Sequence, residues 1–383
     1  MRTLIIALAL ASLCLAACQE KSETPAPTEV AAPAKASPQP QLDEPSRAIW
    51  EAGTPLLAQS HEQLVVLREA VAALLANPDA TQLAKARDQW HQAHDSLQAL
   101  SLFFAMAEAH PGLLVPLDTQ YNYLDGWPIQ PGFLDYYDVY THSGLVNDIA
   151  IAVTAKALRE AHQQFDEQDR ALGLHPIAYL LWGSNGQRPA SDYAPQTPAA
   201  AGKDAPKVAD MPNNRRRALL GLMVELAIED VTRLQSHWAA EGALAQTYLQ
   251  LTPHQRAEIL RASTLYLIEQ QLINQQLQPQ LDVQAMPELD YQPHNAYSGR
   301  GRNALSAQLG SLALLAQDTP SANALLDHWT KGASASWRNQ WQAAVRLVSK
   351  LPEEGDATET QWVAAIAALQ QLAEPLKPEP QVH

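Results

Sequence analysis

The sequence has only two cysteines, Cys14 and Cys18, and both lie close to the N-terminus. The rest of the chain therefore has no residue for a disulfide, a thiolate metal site or a cysteine nucleophile. The sequence also lacks the glycine-rich loops that bind phosphates and the G-x-S-x-G turn of serine hydrolases. These absences exclude the common nucleotide-binding folds and the thiol and serine hydrolases of those types.

Long apolar runs are missing after residue 17, so the sequence predicts no further membrane-spanning segment. No stretch alternates apolar and polar residues over a useful length, which argues against β-strands. Basic residues are in the minority, because 26 Lys and Arg oppose 41 Asp and Glu and leave a formal net charge of −15. Such a surface repels nucleic acid phosphates and anionic lipid head groups, so we expect no nucleic acid partner.

The N-terminus resembles the signal peptide of a bacterial lipoprotein. Arg2 precedes an apolar run that is too short for a permanent membrane helix and ends in Leu-Ala-Ala before Cys18. We therefore expect residues 1–17 to be removed and Cys18 to be lipidated, which makes a membrane one partner. Gln19 follows, and by the usual sorting rule a residue other than Asp there favours the outer membrane, facing the periplasm. Residues 18–45 are rich in Pro, Ala, Ser and Glu, which predicts a disordered tether.

From residue 46 to residue 376 the sequence predicts an all-α fold. Apolar residues recur at helical spacing, for example at Leu64, Leu67, Val71 and Leu74. Further helices are predicted over residues 81–108, 145–166, 173–183, 213–238, 255–277, 301–316, 320–331, 335–350 and 358–373. A polar loop over residues 184–214 divides the chain into comparable halves. We therefore predict two helical bundles, an N-terminal one over 46–200 and a C-terminal one over 201–376.

The sharpest local feature is the run GLHPIAYLLWG at residues 173–183, an apolar helix bracketed by glycines. Three further segments accompany it along the chain: Gly126-Trp127-Pro128 with Leu134-Asp135-Tyr136, Arg216-Arg217 with Asp230 and Trp238, and His294-Asn295-Ala296-Tyr297-Ser298. Together these segments resemble the imelysin-like family, periplasmic proteins also called M75 peptidases, whose shared motif is G-x-H-x-x-E. The resemblance covers nearly the whole predicted body, residues 46–376.

The resemblance implies two helical bundles related by an old duplication, with a site in the cleft between them. It implies a role near iron uptake or metal handling at the cell envelope. It also implies a set of ligand-binding residues in this chain: His175, Gly173, Trp127, Asp135, Tyr297, Ser298 and Arg216. The implied cofactor is iron or another divalent metal with His175 as a ligand, and the implied partner is an iron-uptake protein or a paralogue.

This sequence departs from the motif where the chemistry would be. The motif glutamate is replaced by Ala178, whose methyl group can neither ligate a cation nor accept a proton. The glutamate of the late segment is replaced by His294. We therefore predict an envelope lipoprotein that binds a ligand, metal or partner without catalysis. Two alternatives stay open, a metal-dependent peptidase with a rebuilt site and a helical scaffold that pairs with an active paralogue.

His175 itself has three interpretations: a structural residue at a helix start, part of a ligand pocket, or a metal ligand. A metal would need a carboxylate in place of the missing one. The candidates in the aromatic segment are Asp125, Asp135 and Asp138. His91 and His94 are three residues apart on one helical face, a spacing that can bind a metal, although histidines on solvated helix faces are common.

Overall fold

A computed structural model describes residues 41–199, 205–286, 291–352 and 357–378. Within these ranges every regular element is helical, and an isolated bridge between Tyr137 and Tyr140 is the one extended pairing. The predicted all-α fold is confirmed. No helix in this part of the chain is long and apolar enough to cross a membrane. The predicted signal peptide, Cys18 and the tether up to residue 40 lie outside the described residues.

The helices differ in length from one turn to more than seven turns. Those described in the first half are α1 (Asp43–Glu51), α2 (Gly53–Ala76), α3 (Ala80–Gln98), α4 (Ser101–Ala109), α5 (Val115–Asp125), α6 (Pro131–Leu134), α7 (Gly144–Asn147), α8 (Ala155–Ala161) and α9 (Leu174–Trp182). Those described in the second half are α10 (Pro212–Trp238), α11 (Ala243–Gln250), α12 (Pro253–Tyr266), a π-helical segment (Leu267–Leu277), α13 (Gln278–Ala285), α14 (Gly301–Ser311), α15 (Ala313–Ala316), α16 (Pro320–Thr330), α17 (Ser334–Val348) and α18 (Glu359–Ala373). Short 3-10 turns lie at Ala190–Tyr193, Val208–Asp210 and Glu374–Leu376.

Several helices begin where a side chain can satisfy their free N–H groups. The side chain of Asp79 accepts a hydrogen bond from the N–H of Gln82 at the start of α3. At α12, Thr252 and Gln255 cap each other's backbone in a reciprocal capping box. These local signals explain why the predicted starts of these helices lie close to the observed ones.

The apolar stripe predicted in α2 faces the core. Leu64, Leu67, Val71 and Leu74 are all buried, and α2 packs against α3 and α10. Burying such side chains contributes about 1.5–3 kcal/mol each. The stripe therefore explains why α2 lies between these two long helices.

The helix predicted over 81–108 is divided in two. The chain turns at Ala99 and Leu100, which separate α3 from α4. Every residue of α4 from Ser101 to Ala107 is buried, so this helix is apolar on all sides. A helix of this kind belongs inside a protein, and α4 accordingly packs against α5 and α12.

The prediction of a single helix over 145–166 is wrong. The chain instead forms α7 and α8, with irregular backbone between them. The guanidinium group of Arg215, from α10, donates hydrogen bonds to the carbonyl oxygens of Leu145, Val146, Asp148 and Ile151. A distant arginine thus satisfies carbonyl groups that a continuous helix would have paired internally.

The two halves of the sequence are in contact through their helices. The helix α10, from the second half, packs on α2 and α5, and α12 packs on α4. The described residues belong to one compact unit. This unit begins at least as early as Asp43, where α1 starts, rather than at residue 46. The duplication and the boundary at residue 200 stay predictions.

The predicted helix over 255–277 continues further than expected. The helical course runs from α12 through the π-helical segment and α13 to Ala285, past Pro279. In the π-helical segment Gln271 and Gln276 lie five residues apart, and Gln276 donates to the carbonyl oxygen of Gln271 at 3.2 Å. π-Helical turns are often found at functional sites. Both glutamines line the cavity described below.

Candidate metal centre

Four side chains with metal-binding atoms converge inside the fold. They are His94 on α3, Asp125 at the end of α5, His175 on α9 and His294 in the segment before α14. One nitrogen or carboxylate oxygen of each lies within 4.8 Å of those of the other three. We call these four residues the metal centre.

His94 and Asp125 are held in place by Gln98, one turn further along α3. The side-chain nitrogen of Gln98 donates to Oδ2 of Asp125 at 2.7 Å and lies 3.1 Å from Nε2 of His94. Gln308, on α14, donates to Gln98 at 2.9 Å and connects the second half of the chain to this network. The ring of His94 stacks on Trp90 at a centroid distance of 4.9 Å. Because Oδ2 of Asp125 is bound in this way, Oδ1 is left to face the histidines.

Gly173 allows α9 to approach α5 closely. Its φ of +101° lies in the region that favours glycine. A Cβ atom at this position would lie 2.9 Å from the carbonyl oxygens of both Tyr123 and Leu124. This close approach places Nε2 of His175 at 3.1 Å from Oδ1 of Asp125.

His162 supports the same approach from the other side. Its Nδ1 accepts hydrogen bonds from the backbone N–H groups of Ala171 and Leu172, both at 3.2 Å. These two residues lead directly into Gly173. The lone pair of a neutral imidazole therefore fixes the backbone segment that leads into α9 next to the metal centre.

Aromatic rings enclose the histidines. The ring of Trp127 lies 4.8 Å from that of His175 and 5.8 Å from that of His294, measured between centroids. The rings of His175 and His294 are 4.6 Å apart. His94, Asp125, His175 and His294 are all buried. The histidines of the metal centre thus pack among rings that meet them at a tilt or edge to face.

The charge state of the metal centre suits a cation. Burial lowers the pKa of His175 and lowers the pKa of His294 well below its usual value. Burial alone would raise the pKa of Asp125, but the imidazoles of His175 and His94 outweigh it and hold that pKa well below the usual range. Neutral His175 and His294 thus lie beside an ionised carboxylate at neutral pH.

Polar atoms of this group also lack partners. Within the described ranges, Nδ1 of His294 is buried without a hydrogen-bond partner, and Nε2 of His175 and Oδ1 of Asp125, 3.1 Å apart, are not aligned as a hydrogen bond. An unsatisfied buried polar group costs about 1–3 kcal/mol. A cation bound by these lone pairs would satisfy all three, so the residues present fit a metal ion.

A cavity of about 1210 Å³ borders the metal centre. Asp125 and His294 line it together with Trp127. Nine amide side chains line a large part of the rest of its wall: Asn122, Gln130, Gln163, Gln168, Gln271, Gln275, Gln276, Gln292 and Gln308. Glu108 and Arg170 add charges of opposite sign. The cavity can therefore admit water and polar molecules to two of the four metal-centre residues.

The structure brings together several residues that the sequence singled out. Gly173, His175 and Trp127 lie at the metal centre. Tyr297 packs its ring 4.9 Å from that of Tyr179 and 6.4 Å from that of Trp127. Ser298 donates to the carbonyl oxygen of Asn295 and so shapes the segment that carries His294.

Asp135 and Arg216 lie in a different group. Oδ2 of Asp135 accepts from Nε of Arg216 at 2.6 Å, and Oδ1 accepts from Nη2 at 3.0 Å. Nη1 of Arg188 lies 2.9 Å from Oδ2 of the same carboxylate. Neither Asp135 nor Arg216 lines the cavity. Their ligand-binding role stays a prediction.

The remaining candidates are also separated by the structure. Of the three carboxylates that the sequence offered, Asp125 meets His175, whereas Asp138 is exposed. Of the two histidines on α3, His94 belongs to the metal centre and His91 packs against Trp182 at 5.1 Å. The signal that could have completed the set was His294, since an imidazole in place of a glutamate is still a metal ligand.

Comparison with known proteins places the fold. The imelysin family (Peptidase_M75) matches residues 53–378. No protein with a curated description matches the chain. A crystal structure of an imelysin-like protein from Psychrobacter arcticum is 14% identical, with a TM-score of 0.58 over 88% of this chain and 93% of that one. A crystal structure from Parabacteroides distasonis, named as an iron-regulated protein A precursor, is 13% identical, with a TM-score of 0.60 over 89% of this chain and 95% of that one. Because the family match covers most of the sequence, the chain belongs to the imelysin family.

Proposed function

We propose that this protein binds a divalent transition metal at His94, Asp125, His175 and His294 and serves metal acquisition at the cell envelope without catalysis. The observation that carries this proposal is the convergence of four buried ligand residues, three of them with unpartnered polar atoms. Three imidazoles and one carboxylate can surround one ion without any further protein ligand.

The donor set determines the class of metal. Imidazole suits zinc, copper, iron and nickel, whereas calcium and magnesium prefer sets made of oxygen atoms. This chain has Ala178, buried, in place of the motif glutamate and His294 in place of the late glutamate. Both changes lower the number of oxygen donors. We therefore expect Zn²⁺, Cu²⁺ and Fe²⁺ to bind and Mg²⁺ and Ca²⁺ to be rejected.

The envelope location rests on the N-terminal sequence. We propose that residues 1–17 are removed, that a lipid is attached to Cys18, and that the protein is held at the outer membrane facing the periplasm. A role in iron uptake is supported by the name of the Parabacteroides structure, which shares the fold. We further propose an uptake protein or a paralogue as the partner. The acidic net charge of −15 agrees with a cation as the ligand.

One observation favours a second candidate, a metal-dependent peptidase with a rebuilt site. Asp125 supplies a carboxylate within 3.1 Å of His175, and the adjoining cavity is large enough for a peptide. A metal ion held there would supply Lewis acidity. Glu108 lines the cavity, but its carboxylate accepts a hydrogen bond from Gln271 and burial raises its pKa. The two candidates differ in whether the protein cleaves peptides.

Metal titration of the purified, metal-free protein tests the proposal. We expect one ion of Zn²⁺ or Cu²⁺ to bind in the buried centre, and His175→Ala or His294→Ala to weaken this binding by more than about 100-fold, the upper range seen even for residues that only support a ligand. His142→Ala, which removes an exposed histidine outside the metal centre, is the matched control. Equal binding by the wild type and both centre variants contradicts the proposal.

Peptide hydrolysis separates the two candidates. The metal-loaded wild type is incubated with a mixture of unstructured peptides, and cleavage is followed by mass spectrometry. The non-catalytic proposal predicts no metal-dependent cleavage. Cleavage that disappears in His175→Ala favours the peptidase.

A further inference from the structure

A second group of metal-binding side chains lies outside the metal centre. His254 and Glu258 are on α12 and His328 is on α16. One ligand atom of each lies within 4.8 Å of the other two. His254 and Glu258 are four residues apart, so they project from the same face of α12. We call these three residues the surface triad.

The carboxylate of Glu258 is already oriented. Nε and Nη2 of Arg261 donate to its Oε2 at 2.8 and 2.6 Å. Arg261 is fixed in turn by a hydrogen bond from Nη1 to the carbonyl oxygen of Leu376 at 2.7 Å. Oε1 is left free and faces Nε2 of His328 at 3.9 Å. A partner that binds one oxygen of a carboxylate and leaves the other for an ion is typical of the outer shell of metal sites.

A direct ion pair explains this group less well. A separation of 3.9 Å between Glu258 and His328 is longer than a hydrogen bond. The ring of His254 lies 5.7 Å from that of His328, nearly perpendicular to it. The three side chains are thus close together without bonding to one another.

We infer that the surface triad is a second metal site, which takes a borderline divalent cation such as Zn²⁺, Cu²⁺ or Ni²⁺. Two imidazoles and one carboxylate are a donor set that such ions bind, with water at the remaining positions. The triad shares no residue with the metal centre, so the inference does not depend on the proposed function. The protein would then hold two ions of different accessibility, one buried and one at the surface.

An ion in the surface triad would join α12 to α16. Both helices also pack against α1. Arg256 on α12 binds Asp43 of α1, and Ser321 on α16 donates to Glu44 of α1. The ion would therefore stabilise the surface on which the first described helix rests, because a ligand that binds only the folded state raises its stability.

The test is the number of Zn²⁺ ions bound by the purified full chain, measured by titration and by metal analysis after gel filtration. We expect two ions per wild-type chain. His328→Ala and His254→Ala should each lose one ion and retain the other, whereas His175→Ala should lose the buried ion and retain the surface ion. Arg261→Gln should lower the Zn²⁺ affinity of the surface triad by about 10- to 100-fold without abolishing binding.

His254 is exposed, so His254→Ala keeps the test valid if His328→Ala disturbs folding. Unchanged zinc stoichiometry in His254→Ala and in folded His328→Ala overturns the inference. If the wild type binds one ion that His175→Ala retains and His254→Ala loses, the surface site stands and the proposed function fails.

Discussion

Asp135→Asn is expected to destabilise the fold without weakening metal binding. The carboxylate of Asp135 is fully buried, and it forms a two-pronged ion pair with Arg216 and a second pair with Arg188. Asparagine has nearly the same size but no charge, and its amide nitrogen faces guanidinium donors. Arg188 would then keep the carboxylate of Asp192, which lies 3.0 Å away and is partly exposed, and Arg216 would lose its carboxylate partner.

The magnitude follows from the burial of these groups. Removing one partner of a buried ion pair costs about 3–5 kcal/mol, because the other partner is left charged and unpaired. Asp192 offsets part of this loss for Arg188. Among the described residues Arg216 keeps only neutral acceptors, the carbonyl oxygen of Asp192 and the side-chain oxygen of Asn213. We therefore expect a loss of about 3–5 kcal/mol in the free energy of unfolding.

Urea denaturation followed by circular dichroism measures this loss, with the slope m as a check that the same surface unfolds. Glu160→Gln is the matched control, since it removes the charge from an exposed pair with Lys156 and should change stability by less than about 0.5 kcal/mol. If Asp135→Asn unfolds within about 1 kcal/mol of the wild type and loses its affinity for zinc, then Asp135 is a ligand-binding residue and the structural interpretation is wrong.

Three further changes have defined outcomes. Gly173→Ala should lower the melting temperature and the zinc affinity together, because its Cβ meets two carbonyl oxygens. Gly132→Ala is the control and should change neither, because no neighbouring side chain or backbone atom lies within 4 Å of its Cβ. Equal behaviour of the two variants contradicts the packing argument. Burial lowers the pKa of His162 from 6.5 to about 4, so between these pH values the folded state binds fewer protons than the unfolded state. The free energy of unfolding should therefore fall by roughly 3 kcal/mol as the pH is lowered through this range. His162→Asn, which keeps an acceptor but cannot titrate, should show a flatter loss of stability between pH 6.5 and 4 in urea titrations, and an unchanged slope refutes this assignment. Gln98→Leu should weaken zinc binding by about 10- to 100-fold in calorimetry, because it frees Oδ2 of Asp125; full affinity would show that Gln98 does not orient that carboxylate.

Local sequence patterns predicted much of the fold. The stripe on α2 and the glycines at either end of α9 depend on residues a few positions apart, and both are observed as expected. The prediction of a helix over 145–166 is wrong for a reason outside the segment, because Arg215 donates hydrogen bonds to its carbonyl groups. A pattern within one segment contains no information about such a distant donor.

The metal centre was predictable only in part. The motif identified His175, but three carboxylates were equally good candidates until the close approach at Gly173 placed Asp125 beside it. The sequence predicts that His294 removes a ligand, whereas in the folded chain its imidazole lies among the four metal-binding side chains. Which side chains meet is decided by the packing of α3, α5 and α9, and this packing depends on contacts far apart in the sequence.

The most direct test of the metal centre is anomalous diffraction from crystals of the zinc-loaded protein at the zinc absorption edge. We predict a strong anomalous peak enclosed by His94, Asp125, His175 and His294, and no such peak in His175→Ala. Zinc-loaded crystals with no peak among these four side chains would contradict the proposal that they form a metal site.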